Sequence, residues 1–219
     1  MNSVLIYNNF IMKYETILFD LDGTISDTSA GIIFCLTETF KHFGADLTKY
    51  NLFDFIGPPL VTTCALIAGD GYSPDEVLTY FRELYKDHIY DNRLYDGMKE
   101  LLADLKQKGY KTGVATSKYQ PMAVKVLERL DVLQYFDFVY GALENRGEKH
   151  EVLNAIFDDG KAKKETTVLI GDTFYDMRGA QRVGIDAIGV TYGFGKREDL
   201  VGYNPVNICN TTDEIKKLF

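Results

Sequence analysis

The sequence predicts an α/β protein: a parallel sheet flanked by helices, with a small all-helical module inserted after the first strand. Two observations predict the sheet and a third predicts the insertion. Short apolar runs alternate with stretches of helical periodicity along the chain. Most of those runs end in Gly, Asp, Ser or Thr, as buried parallel strands tend to. The stretch between the first and second runs is almost a hundred residues long, whereas a strand–helix–strand unit takes about 30. Roughly 60 surplus residues must therefore fold on their own. With 219 residues, 46% of them hydrophobic, the chain is large enough to bury a substantial core.

The strand candidates are residues 16–20, 112–116, 137–141, 167–171 and 187–191, and four of the five are rich in β-branched or aromatic side chains. Between them, Met98, Leu101, Leu102 and Leu105 recur at helical spacing, with Gly109 placed to end the helix. Pro121 is expected as the first residue of a helix through Val124, Leu127 and Leu130. Lys149 opens another through Val152, Leu153, Ile156 and Phe157. Met177, Ala180 and Val183 form a stripe stopped by Gly184, and a last short helix is expected over 212–219.

Residues 28–91 contain no convincing strand. Ile33, Leu36, Phe40 and Phe43 form one apolar face closed by Gly44. Ser73-Pro74-Asp75-Glu76 supplies an N-cap, a proline at the first helical position and a capping-box glutamate. Val77, Tyr80, Phe81, Leu84, Tyr85 and His88 then fall on one stripe. A module inserted directly after a strand is well placed to cover a site at that strand's C-terminal end.

Charge and composition exclude several functions. A formal net charge of −8 disfavours nucleic acid and anionic membranes as partners. The longest uninterrupted apolar runs are five residues, and residues 1–11 lack the features of a signal peptide. Cys35, Cys64 and Cys209 are odd in number and far apart, which suggests free thiols in a reducing cytoplasm rather than disulfides or a zinc site.

Chemistry concentrates at the predicted strand ends. In Phe19-Asp20-Leu21-Asp22-Gly23-Thr24 the two carboxylates are two residues apart, on one side of an extended chain. They suit a hard cation such as Mg²⁺, or a division into nucleophile and acid. Thr116-Ser117-Lys118 ends the second strand and offers a hydroxyl and amides to a phosphate oxygen, or simply starts a helix. Asp172 and Asp176 after the fourth strand add oxygen ligands, or form a turn into a helix. Lys149 is on its own indistinguishable from a surface lysine. Four separate elements nevertheless place phosphate or metal chemistry where an α/β sheet binds ligands.

These segments, together with Gly171-Asp172-x-x-x-Asp176, resemble the four ordered motifs of the haloacid dehalogenase (HAD) superfamily over residues 14 to 210. The insertion resembles that family's helical cap. Phe55-Ile56-Gly57-Pro58-Pro59-Leu60, Leu94-Tyr95-Asp96-Gly97 and the Thr-Ser-Lys form of the second motif resemble the phosphoglycolate-phosphatase-like branch, although Asp96 stands where proline is commoner. The resemblance implies a Rossmann-like, HAD-like core over 13–27 and 92–219, a cap domain over 28–91 and an extension over 1–12.

It further implies a Mg²⁺-dependent phosphomonoester hydrolase. Asp20 would attack phosphorus and Asp22 would protonate the leaving oxygen, then take a proton from water. Asp20, the backbone carbonyl of Asp22, Asp172 and Asp176 would hold Mg²⁺. Gly23, Thr24, Thr116, Ser117 and Lys149 would surround the phosphoryl group. Phe55, Gly57 and Pro58 of the cap would meet the leaving group, with Arg82 as a further candidate. A dehalogenase is disfavoured because those relatives lack an acid at the position of Asp22. The expected partner is a small phosphorylated metabolite: phosphoglycolate, or alternatively a nucleoside 5′-monophosphate or a sugar phosphate. A phosphomutase remains a variant of the same chemistry, and a non-catalytic phosphate-binding module is the reading from another class. Monomer and homodimer are both open.

Overall fold

Six short strands hydrogen-bond side by side, all parallel, in the order β5-β4-β1-β6-β7-β8. They are β1 (Thr16–Phe19), β4 (Lys111–Tyr119), β5 (Phe138–Ala142), β6 (Thr167–Gly171), β7 (Asp186–Val190) and β8 (Asn207–Cys209). The computed structural model describes residues 13–219, so the expected extension over 1–12 lies outside the described residues.

Alternation along the strands explains why both faces of the sheet are covered. Ile17 and Phe19 of β1 point into one hydrophobic core and Leu18 into the other. Val168 and Ile170 of β6 oppose Leu169 in the same way, as Val114 opposes Ala115 in β4. On the first face lie α4 (Met98–Gln107) and α5 (Gln120–Arg129); on the second lie α6 (Lys149–Asp158) and α7 (Phe174–Val183). Two short helices, α8 (Arg197–Val201) and α9 (Thr212–Lys216), flank β8. Each fully buried Leu or Phe contributes about 1.5–3 kcal/mol. Leu18, Phe19, Leu102 and Leu105 are all completely buried.

The insertion leaves and rejoins the sheet through an antiparallel ribbon of β2 (Ser26–Asp27) and β3 (Arg93–Leu94). Between them run α1 (Ser29–His42), two single 3₁₀ turns, α2 (Leu60–Ala68) and α3 (Pro74–His88). The Ser73–Glu76 capping box forms as expected, with Ser73 accepting from the Glu76 amide at 3.2 Å and Glu76 from the Ser73 amide at 2.8 Å. In α1 the buried stripe is shifted from the expected one: Gly31, Cys35, Leu36, Thr39 and Phe40 face inward, while Ile33 is only half-buried. Gly31 sets this rotation, because α1 lies so close to the end of α3 that a Cβ there would stand 2.5 Å from the His88 carbonyl oxygen.

Two other boundaries differ from the sequence reading. β4 continues through Tyr119, so Gln120 rather than Pro121 is the first residue of α5. The C-terminal helix stops at Lys216.

Candidate active site

The C-terminal ends of β1, β4 and β6 converge on one buried group of charges. Asp20 follows directly on β1 and is 4% exposed. Its Oδ1 accepts from Lys149 Nζ at 2.7 Å. Lys149, the first residue of α6, also donates to the Ala115 carbonyl oxygen at 2.7 Å and sits 2.8 Å from Asp176 Oδ1. Two hydrogen bonds and this ion pair hold the ammonium in place. Its stem passes α7 at Gly179, where any Cβ would overlap it, standing 2.5 Å from Lys149 Cγ.

Asp172 and Asp176 are completely buried. The Asp176 Oδ2 accepts from the Thr173 amide at 3.0 Å and the Thr173 hydroxyl at 2.8 Å, closing a capping box at the start of α7. Asp172 accepts from the Thr24 hydroxyl at 3.0 Å through Oδ1 and from the Phe194 amide at 2.8 Å through Oδ2. Close packing makes both bonds possible. Gly23 has φ +90°, a backbone conformation glycine adopts freely, and a Cβ on it would overlap the Asp172 carboxylate. Gly193 and Gly195 let the loop after β7 lie equally close to Asp172.

One oxygen from each of Asp20, Asp172 and Asp176 falls within 4.8 Å of the others. Burial pushes the Asp20 carboxyl up to about 6; Lys149 opposes the shift and Asp176 adds to it. Burial, then Asp176 and Asp20, hold Asp172 well above the ordinary carboxylate range. Lys149 responds in the opposite sense: burial lowers its pKa, but Asp176 and Asp20 more than reverse that. A single ammonium group thus faces three buried carboxylates, a deficit of positive charge that a divalent cation would fill. An all-oxygen donor set of this kind can hold such an ion.

Asp22 faces elsewhere. Both of its oxygens are met by Lys118 Nζ, at 3.1 and 3.2 Å, and its carboxylate is not part of the three-carboxylate cluster. Lys118 also donates to the Tyr85 hydroxyl of α3 at 2.9 Å and lies 4.6 Å from the centre of that ring. The pairing of β4 with β5 is interrupted between Ala115 and Tyr119, which releases Thr116, Ser117 and Lys118 from regular strand geometry.

Above Asp20 and Asp22 lies a cavity of about 310 Å³ between sheet and insertion. Thr116 and Ser117 line it, and so do Phe55, Gly57 and Pro58. Thr116 Oγ1 accepts from the Lys118 amide at 3.2 Å, and the buried Ser117 Oγ has no partner among the described residues. Gly57 has φ +107°, and a Cβ there would approach Thr173 Cγ2 to 2.9 Å, so this loop of the insertion rests on the core beside the site. Phe55 also packs on Phe40 and Tyr50, serving the insertion's own core as well as the cavity. Gly23 and Thr24 do not line the cavity: the Thr24 hydroxyl is committed to Asp172 and its carbonyl to the Tyr192 hydroxyl.

The chain as a whole is similar to known proteins. The family model described as "Haloacid dehalogenase-like hydrolase" matches residues 17–190. The chain belongs to the haloacid dehalogenase-like hydrolases. Among its relatives, a 5′-nucleotidase of Pseudomonas aeruginosa is 34% identical over 203 residues, covering 90% of this chain and 92% of that one. The tyrosine-protein kinase PtkA of Mycobacterium tuberculosis is 33% identical over 209 residues, covering 93% of this chain and 72% of PtkA. The crystal structure of a predicted phosphatase from Clostridium acetobutylicum superposes with a TM-score of 0.85 at 32% identity, covering 93% of this chain and 97% of that one.

Within this haloacid dehalogenase-like hydrolase, two features escape a sequence reading. The Lys118–Tyr85 contact joins the core to the insertion, and nothing local in either segment announces it. The Phe194 amide is a backbone donor; the signal that points to it is Gly193-Phe194-Gly195 just beyond a strand. Among the described residues, no helix is long and apolar enough to cross a membrane.

Proposed function

We propose that the chain is a Mg²⁺-dependent phosphomonoester hydrolase that passes the phosphoryl group of a small metabolite through Asp20. The observation that carries this reading is the buried, cation-deficient cluster of Asp20, Asp172 and Asp176, whose Asp20 also lines the cavity between sheet and insertion. Asp20, Asp172, Asp176 and the backbone carbonyl of Asp22 would hold Mg²⁺, which when bound neutralises charge on the phosphoryl oxygens and on the carboxylates around them.

Lys149 occupies Asp20 Oδ1 and fixes the carboxylate, so Oδ2 forms the bond to phosphorus as the ester P–O bond breaks. Asp22, at the cavity wall, would protonate the departing oxygen once it has taken up a proton and one of its oxygens has left Lys118. In the second half of the reaction Asp22 takes a proton from water as that water attacks phosphorus, releasing inorganic phosphate and the free Asp20 carboxylate. Thr116 and Ser117 supply hydroxyl and amide donors to the phosphoryl oxygens. The unpartnered Ser117 Oγ fits such a role. Lys149 acts through its charge and its grip on Asp20. Gly23 and Thr24 support the site from behind, by shaping and bonding Asp172.

The cavity also bears on the substrate. Its walls are mixed: Ile32, Leu60, Leu78, Phe81 and Met122 add apolar surface beside Arg82, Lys118 and Glu144. That apolar surface suits a leaving group with an apolar or planar face, such as a nucleoside, better than the small and highly polar glycolate. Phosphoglycolate is the second reading, favoured by Arg82. Arg82 lines the cavity 4.9 Å from the centre of the Tyr119 ring and has no carboxylate within 4.0 Å among the described residues. The Mg²⁺-loaded enzyme assayed against nucleoside monophosphates, phosphoglycolate and sugar phosphates tests the reading. Highest kcat/KM for a nucleotide is expected; no release of phosphate from any ester would overturn it.

A further inference from the structure

We propose that Lys118 and Tyr85 are positioning residues for Asp22, so that the inserted helix α3 sets the geometry of the core's proton-handling carboxylate. The inference rests on the reading of Asp22 given above. Lys118 Nζ bridges both Asp22 oxygens, at 3.1 and 3.2 Å, and its remaining direction is taken by the Tyr85 hydroxyl at 2.9 Å. The lysine and aspartate side chains are only 8% and 12% exposed, so little water competes for these contacts. Tyr85 is 3% exposed and belongs to the hydrophobic core that runs from sheet to insertion, which fixes where its hydroxyl stands.

The two site lysines thus divide the work. Lys149 is anchored entirely by the core, through Ala115 and Asp176, and orients Asp20. Lys118 is anchored by one group of the insertion and orients Asp22. A carboxylate with two free torsions delivers a proton efficiently only when held within hydrogen-bond reach of the accepting oxygen. The clamp supplies that hold, and its Tyr85 arm exists only while α3 keeps that hydroxyl beside Lys118. An ammonium group whose three donors are committed in this way is not free to bind the phosphoryl group.

Leaving-group chemistry provides the test. p-Nitrophenolate departs without being protonated, whereas the alkoxide of an alkyl phosphate such as glycerol 3-phosphate needs a proton as it leaves. In the Mg²⁺-saturated enzyme, Lys118→Met is expected to lower kcat/KM for the alkyl ester about 100-fold and for the aryl ester less than about fivefold. Lys118→Arg should recover most of the alkyl loss. Tyr85→Phe, which keeps the ring and removes only the hydroxyl, should show a smaller loss with the same preference. Equal losses on both esters, or a change confined to KM, would overturn the inference. If Lys118→Met does not fold, Tyr85→Phe decides, and an unchanged alkyl-to-aryl ratio overturns it. Asp22→Asn separates the two levels. Without ester preference in that variant, the Asp22 assignment itself fails; with preference there and none in the Lys118 and Tyr85 variants, only the positioning role fails.

Discussion

The two halves of the site are built differently. The cluster of Asp20, Asp172, Asp176 and Lys149 comes wholly from the sheet and its helices, is almost completely buried, and is bonded to backbone as well as side chains. The half around Asp22 is assembled from Lys118 of the core and Tyr85 of the insertion, beneath a cavity whose walls both parts share. The first is buried and multiply bonded and, in the proposed reaction, would carry the making and breaking of bonds at phosphorus. The second depends on how the insertion sits and suits whatever varies among substrates.

If that division is right, perturbing the core half should damage turnover of every ester alike. Asp20→Asn removes the nucleophile and is expected to lower p-nitrophenyl phosphate turnover about 10⁴-fold or more. Wild-type turnover in that variant would remove the assignment. EDTA should take activity to background and Mg²⁺ restore it.

Protons and a cation bound among Asp20, Asp172 and Asp176 would compete for the same oxygens, which adds a pH dependence. An acid whose pKa is raised in the folded state destabilises that state as pH rises, here from the ordinary 3.8 through about 6 for Asp20. The rise in Tm on adding Mg²⁺ should therefore be larger at pH about 8 than at pH about 5. An equal rise at both would argue that the cation binds elsewhere.

Smaller effects sharpen the contrast. Lys149→Ala leaves buried carboxylates without their counter-ion and is expected to cost about 3–5 kcal/mol of stability in metal-free protein, read from denaturant unfolding. Phe55→Ala, on the cavity side, should instead change the ratio of kcat/KM between two esters about tenfold. The same ratio across a panel of esters would show that Phe55 serves only the insertion's core.

The same division governs what the sequence reveals. The five longer strands were legible because burial on both faces concentrates apolar and β-branched side chains in each, and the acidic motifs were legible because they follow β1 and β6. β8 has three residues and α8 has five, too short for periodicity to register. α2 is apolar nearly all round, Leu-Val-Thr-Thr-Cys-Ala-Leu-Ile-Ala, and so shows no stripe to count. Asp22 has the spacing of a partner to Asp20, yet its carboxylate turns to Lys118 because the chain leaves the strand at Phe19 and turns at Gly23. Contacts made across the gap between insertion and core, such as Tyr85 with Lys118, need the fold before they can be seen.

The proposed chemistry turns on a carboxylate that would become transiently esterified beside a divalent ion. Crystals grown with Mg²⁺ and beryllium trifluoride test it directly, since this phosphoryl mimic bonds to an activated carboxylate oxygen. The expected density is a beryllium adduct on Asp20 with an ion among Asp20, Asp172 and Asp176. An unmodified Asp20, or an adduct on a different side chain, would contradict the account.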